Sequence, residues 1–150
     1  MTKPLKNKIA IITGGGRGLG KAMAIGLAKA GASGLCITGS SSIDQLKQVA
    51  REIKSLDTNT KVLPLIADVT NPDACLKAAN QACSALGPVD ILINNAGKGQ
   101  NFVADDHVPF WQAKRAQSTC SFILLTVYFR CGYFSMALCC ISTFATEHLS

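Results

Sequence analysis

The residues with the plainest chemistry stand together between Thr13 and Gly20, in the run Thr-Gly-Gly-Gly-Arg-Gly-Leu-Gly. Gly14, Gly15 and Gly16 can take backbone angles closed to other residues, and they leave no side chain between the backbone and an approaching ligand. From Gly18 the pattern turns helical, with Leu19, Met23 and Leu27 four apart. A helix starting there points its unpaired amides and the positive end of its dipole across the glycines. The chemistry served by such a turn is the holding of a phosphate. A glycine turn without a ligand is the plainer alternative.

Spacing separates the possible phosphate turns. A generic GxGxxG fingerprint fails, because Leu19 stands where Gly14 and Gly16 would require a third glycine. A Walker A loop is nearly met by Gly15, Gly20 and Lys21, but Ala22 replaces the hydroxyl residue that would hold magnesium. The pattern met in full is TGxxxGxG, with Thr13, Gly14, Gly18 and Gly20.

The elements around this turn follow from periodicity. Ile9, Ala10, Ile11 and Ile12 form an apolar, mostly β-branched run suited to a strand buried on both faces. In the helix behind the turn, Ala22, Gly26 and Ala30 make a small-residue stripe expected to pack against the sheet. Gly31 suits a helix stop. Residues 35–38 predict a second strand, and residues 39–42 the loop at its end. Ile43, Leu46, Val49, Ile53 and Leu56 mark an amphipathic helix. Residues 62–66 predict a third strand ending at Ala67, Asp68 and Val69. Asn71, Pro72 and Asp73 open a third helix, closed by Gly87 and Pro88. Residues 90–93 predict a fourth strand running into Asn94, Asn95, Ala96 and Gly97. Strands and helices alternating in units of this length imply an α/β fold, Rossmann-like and doubly wound, with a mostly parallel sheet that binds ligands at the carboxyl ends of its strands.

With TGxxxGxG on the first turn, Asp68-Val69 ending the third strand and NNAG at Asn94 to Gly97, the chain resembles the classical short-chain dehydrogenase/reductase family from Lys8 to about Gln112. The resemblance implies a nicotinamide dinucleotide cofactor and interconversion of a carbonyl and an alcohol. It assigns the pyrophosphate to Thr13, Gly14, Gly16, Arg17, Gly18, Leu19 and Gly20. Asp68 would bond the adenine amino group, Val69 would line its pocket, and Asn95, Ala96 and Gly97 would pass behind the adenosine ribose and brace the sheet. In dinucleotide folds the loop after the second strand meets that ribose, where an acid favours NAD. Here Ser40, Ser41 and Ser42 offer hydroxyls and Arg17 a charge, so NADP(H) is expected over NAD(H). Ser42 with Gln45 also forms a capping box, which explains the serines without a ligand.

The resemblance stops near Gln112. Family members use a serine, a YxxxK pair and an asparagine in the helix after NNAG. A neighbouring ammonium favours the phenolate of such a tyrosine. Four residues after Tyr128 and Tyr133 stand Gly132 and Ala137, and residues 117–120 hold no asparagine. Ser142 and Thr143 are only distantly similar to the serine-bearing strand end. No catalytic residue is therefore expected, and the sheet is expected to be incomplete on its C-terminal side, with its fourth strand exposed unless the tail covers it. Residues 1–112 form the NAD(P)-binding unit and residues 113–150 a divergent apolar tail. All nine aromatic residues lie at or after Phe102, and the only acid beyond Asp106 is Glu147. Departure from an ancestral reading frame near Gln112 accounts for both changes. A membrane span over 120–142 would have to carry Arg130, at about 2.5 to 3.5 kcal/mol; a buried helix and strand are the other alternative.

The remaining composition narrows the function. A chain of 150 residues makes one domain. The net charge of +6 is dispersed, and the lysines at 3, 6 and 8 read as a solvated arm. No basic helix or aromatic platform accompanies them, which argues against nucleic acid. The seven cysteines show no metal-ligand spacing and suit a reducing compartment. The N-terminal apolar run is too short for a signal peptide, so a cytoplasmic location is expected. A noncatalytic nucleotide-binding or interaction protein, associating with a full-length relative, is the reading from another class.

Overall fold

In the computed structural model, which describes residues 3–56, 58–97 and 126–129, the apolar run opens the fold as β1 (Ile9–Ile12), buried along its whole length. It is followed by α1 (Gly18–Lys29), β2 (Gly34–Gly39), α2 (Ile43–Ser55), β3 (Lys61–Ile66), α3 (Pro72–Leu86), β4 (Ile91–Asn94) and β5 (Thr126–Phe129). The strands form one sheet in the order β3-β2-β1-β4-β5. The first four are parallel, as alternating strands and helices require. β5 runs antiparallel to β4 and pairs residues 126–129 with residues 91–94, so the outer edge of β4 is covered. Within the run 120–142, residues 126–129 are thus a strand. Among the described residues no helix is long and apolar enough to cross a membrane.

Strand alternation divides the core between two faces. Ala10, Ile12, Leu35, Ile37, Ile91 and Ile93 meet α1 and α2 through Ala24, Ala28, Leu46, Val49 and Ile53. On the other face Ile9, Ile11, Cys36 and Leu92 meet α3 through Ala82 and Leu86. β3 is an edge strand, and this position tolerates Pro64, which has no N–H to donate to a further neighbour.

Helix ends follow their sequence signals. Ser42 Oγ accepts from Gln45 N at 3.4 Å, and Asn71 Oδ1 accepts from the amides of Asp73 and Ala74 at 3.0 and 3.2 Å. Two details differ from expectation. The small-residue stripe of α1 against the sheet is Gly20, Ala24 and Ala28, whereas Ala22 and Gly26 face solvent. Both stripes have the same spacing, and the phase is set by Gly20, which must fit under the glycine turn. The lysine-rich start is a turn rather than an arm. Leu5 packs on the core, its amide donates to Ala30 O at 3.1 Å, and Lys8 pairs with Asp90 at 3.2 Å.

Cys36, at the centre of β2, illustrates the tightness of the second face. Burial, and secondarily Cys83, pushes its thiol up from 9.0 to about 12. The folded chain thus keeps a proton that the unfolded chain releases above pH 9. This contribution to stability is intact below pH 9 and is lost as the pH climbs towards 12, by at most about 1.4 kcal/mol per pH unit. Urea midpoints measured from pH 8 to 11 should fall less steeply for Cys36→Ala than for the unsubstituted chain. Parallel slopes would show that the thiol takes no part.

Candidate functional site

The glycine turn is locked to the end of β4 by side chains 82 residues apart. Thr13 is buried, and its Oγ1 accepts from the amides of Asn95 and Ala96, each at 3.0 Å, while donating to Ile93 O at 3.5 Å. Asn95 returns the contact: its Nδ2 donates to Thr13 O at 3.0 Å and to Gly14 O at 3.2 Å. On the other side Gly15 N donates to Thr38 O at 2.9 Å, tying the turn to β2. The turn is therefore clamped between both neighbours of β1 before any ligand arrives.

Two glycines are required by this clamp. Gly14 has φ +68°, and a β-carbon on it would stand 3.0 Å from Ala96 Cα. A β-carbon on Gly20 would enter the Gly14 carbonyl itself, so α1 can approach the turn only with glycine there. Gly15 and Gly16 do not have positive φ, contrary to the freedom expected of all three glycines; crowding by Ile37 and Leu46 accounts for their small size.

Where the turn meets α1, the helix is bare. Arg17 at its N-cap is extended and makes no capping side-chain bond, and the first turn of α1 has no acid. α2 and α3 by contrast have Ser42 and Asn71 as caps and Asp44 and Asp73 in their first turns. Of the three described helices, the one beside the glycines is thus the one with neither a capping side chain nor a first-turn acid among the described residues. An anion suits that position.

A cavity of about 380 Å³ opens there, at the carboxyl ends of the parallel strands. Of the residues expected at the site, Gly14, Gly16, Arg17, Gly18, Leu19, Ser40, Asp68, Val69, Asn95, Ala96 and Gly97 line it. Thr13 and Gly20 lie behind the turn and shape it from within. Asp68 is oriented by its own loop, its Oδ1 accepting from Thr70 N at 2.9 Å and Thr70 Oγ1 at 2.8 Å. Leu19, 57% exposed, sets an apolar side chain at the mouth. Ser42 both caps α2 and lines the cavity, so its capping role does not remove it from the cavity wall. Gln45, Leu46 and Thr70 also line it and were not singled out as site residues; two belong to α2, whose helical periodicity masks any other role.

Lys21, the near-match to a Walker lysine, lies outside the cavity and pairs with Glu52 of α2 at 2.7 Å. A larger cavity of about 630 Å³ lies between β3 and α3, lined by Leu63, Leu65 and Leu76 with Asp73 and Lys77 at its rim. It has no glycine turn and no bare helix end. Among the described residues no His, Cys, Asp and Glu are grouped to hold a metal. Tyr133, Ser142, Thr143 and the region of Gln112 lie outside the described residues.

The cradle fits a dinucleotide: glycines make room for a pyrophosphate, a bare helix end faces it, and the cavity has the size of a small-molecule site. Comparison with known proteins gives the same reading. Residues 8–126 match the family model for short chain dehydrogenase. An uncharacterized oxidoreductase of Mycobacterium tuberculosis is 41% identical over 93 residues, covering 62% of this chain and 34% of the relative. A short-chain dehydrogenase/reductase from Serratia marcescens has 37% identity and a TM-score of 0.60, over 69% of this chain and 42% of that one. A metagenomic short-chain oxidoreductase in complex with NADP has 32% identity and a TM-score of 0.58, over 64% and 42%. The chain thus spans less than half the length of these relatives. Its glycine turn, Asp68-Val69 pair, NNAG segment and parallel sheet place it in the short-chain dehydrogenase family of oxidoreductases.

Proposed function

We propose that this chain binds a nicotinamide dinucleotide, NADP(H) in preference to NAD(H), and does not turn over a carbonyl or alcohol by the family's usual route. The observation that carries the preference is the loop after β2. Ser40, Ser41 and Ser42 line the cavity together with Arg17, and residues 39–42 include no acid. A 2′-phosphate gains a cation and hydroxyl donors there, whereas a free ribose gains no carboxylate. The relative solved with NADP supports the same choice. When bound, the nicotinamide ring supplies or accepts a hydride. The residues of this chain hold the phosphates at Gly14 to Gly20 and the adenosine near Asp68, Val69 and Asn95 to Gly97.

The proposed absence of turnover is supported by the surroundings of the two tyrosines among these 150 residues. Tyr128 lies on β5, paired with Leu92, and has Gly132 four positions on; Tyr133 has Ala137. Neither tyrosine has the lysine that would favour its phenolate.

Thermal-shift titration with NADPH, NADH and Mg-ATP in parallel tests the proposal. At about 100 times its dissociation constant NADPH should add roughly 2.7 kcal/mol of stability. Arg17→Glu should weaken both cofactors, because the pyrophosphate lies at the same turn, and NADPH by about tenfold more than NADH. Preference for NADH or ATP would overturn the binding assignment, and steady oxidation of NADPH with a carbonyl substrate would overturn the inactive one.

A further inference from the structure

Beside the three serines, the cavity wall after β2 contains a carboxamide, that of Gln45. Gln45 has its backbone fixed, because its N–H donates to Ser42 Oγ at 3.4 Å. Its side chain turns back over the glycine turn: a β-carbon on Gly16 would lie 3.5 Å from Gln45 Cβ and 3.7 Å from its Oε1. Gly16 thereby makes room for this carboxamide as well as for a phosphate. Arg17 and the three serines line the same cavity. Asp44, the neighbouring acid, does not line it.

We propose that Gln45 is a specificity-determining residue, its carboxamide donating to a phosphate on the adenosine ribose and sharing that phosphate with Arg17. The inference rests on the proposed function and names a residue that decides it. An amide both donates and accepts, so it serves a phosphate without adding charge. A carboxylate of nearly the same shape can only accept and repels the phosphate. The identical position can therefore be switched in either direction by charge alone.

The test is calorimetric titration of the whole chain with adenosine 2′,5′-bisphosphate and with adenosine 5′-monophosphate. The unsubstituted chain should bind the bisphosphate more tightly. Gln45→Glu should weaken the bisphosphate by about tenfold and Gln45→Lys should tighten it, while the monophosphate, whose single phosphate lies at the glycine turn, should change in the same direction by several-fold less. Gln45 is exposed in the first turn of α2, so both variants should fold and unfold cooperatively, with Gln45→Lys melting slightly below Gln45→Glu because a cation is disfavoured at a helix N-terminus. Equal changes for both probes, or no change for either, overturn the assignment of Gln45 while the cavity reading stands. If the unsubstituted chain binds neither probe nor NADPH, both readings fall.

Discussion

Gly20→Ala should destabilise the chain by about 3 kcal/mol or more and abolish nucleotide binding, the largest effect expected of any single methyl group here. The added carbon would enter the Gly14 carbonyl and stand 2.9 Å from Gly14 C, and both neighbours are backbone atoms of a turn clamped on two sides. Relief requires α1 to withdraw, which uncovers Ala24 and Ala28 on the sheet. Gly26→Ala is the matching control. It lies on the same helix, exposed, and beyond that helix's own backbone no atom of the described residues stands within 4 Å of the new carbon, so it should stabilise by about 0.5 to 1 kcal/mol through helix propensity. Urea unfolding of the pair, each with and without NADPH, measures both effects. Equal shifts of the two midpoints would falsify the idea that close approach of α1 to the turn holds the site together.

Thr13→Val should cost about 2 to 4 kcal/mol although it preserves shape and β-branching. The hydroxyl is the acceptor for two backbone amides at the end of β4, and a methyl group in its place leaves both unsatisfied in a buried setting. Thr13→Ser keeps the acceptor and should cost less than about 1 kcal/mol. The ligand measurement separates folding from function: under conditions where Thr13→Val remains folded, its affinity for NADPH should still fall, because Asn95, Ala96 and Gly97 line the cavity from the strand that Thr13 holds. A variant equal to wild type in both stability and affinity would show that the lock is dispensable.

Much of this architecture was legible because it rests on local signals. The apolar run of β1, the caps at Ser42 and Asn71, and the glycines at 31 and 87 each announce an element within a few residues. The four parallel strands followed from alternation alone. What escaped depends on partners distant in sequence or on the choice between equivalent patterns. Ala22-Gly26-Ala30 and Gly20-Ala24-Ala28 have the same spacing, and only the fit under Gly14 decides between them. Thr13 read as a ligand contact because nothing near it shows that its hydroxyl is taken up by amides 82 and 83 positions away. Gln45 was hidden by its place in an amphipathic helix. The reversed direction of β5 could not be read either, since a short apolar strand reads the same both ways.

The Thr13–Asn95 lock also sets a clock. Its partners are separated by 82 residues, so during synthesis the glycine turn emerges long before the strand that closes it, by roughly 4 to 16 s at about 5 to 20 residues per second. In that interval β1, α1, β2, α2 and β3 can pair and pack, but the turn lacks its Asn95 side. Competence to hold a nucleotide therefore arrives late on the path to the native state, and a nucleotide in solution acts on the last step rather than the first. In refolding, where the whole chain is present from the start, the same separation acts through the entropy of closing an 82-residue loop. In pulsed hydrogen exchange, protection at Asn95 and Ala96 should therefore appear after that of β2 and should be the phase that NADPH accelerates or traps; protection of all these amides in one ligand-independent phase would contradict this order.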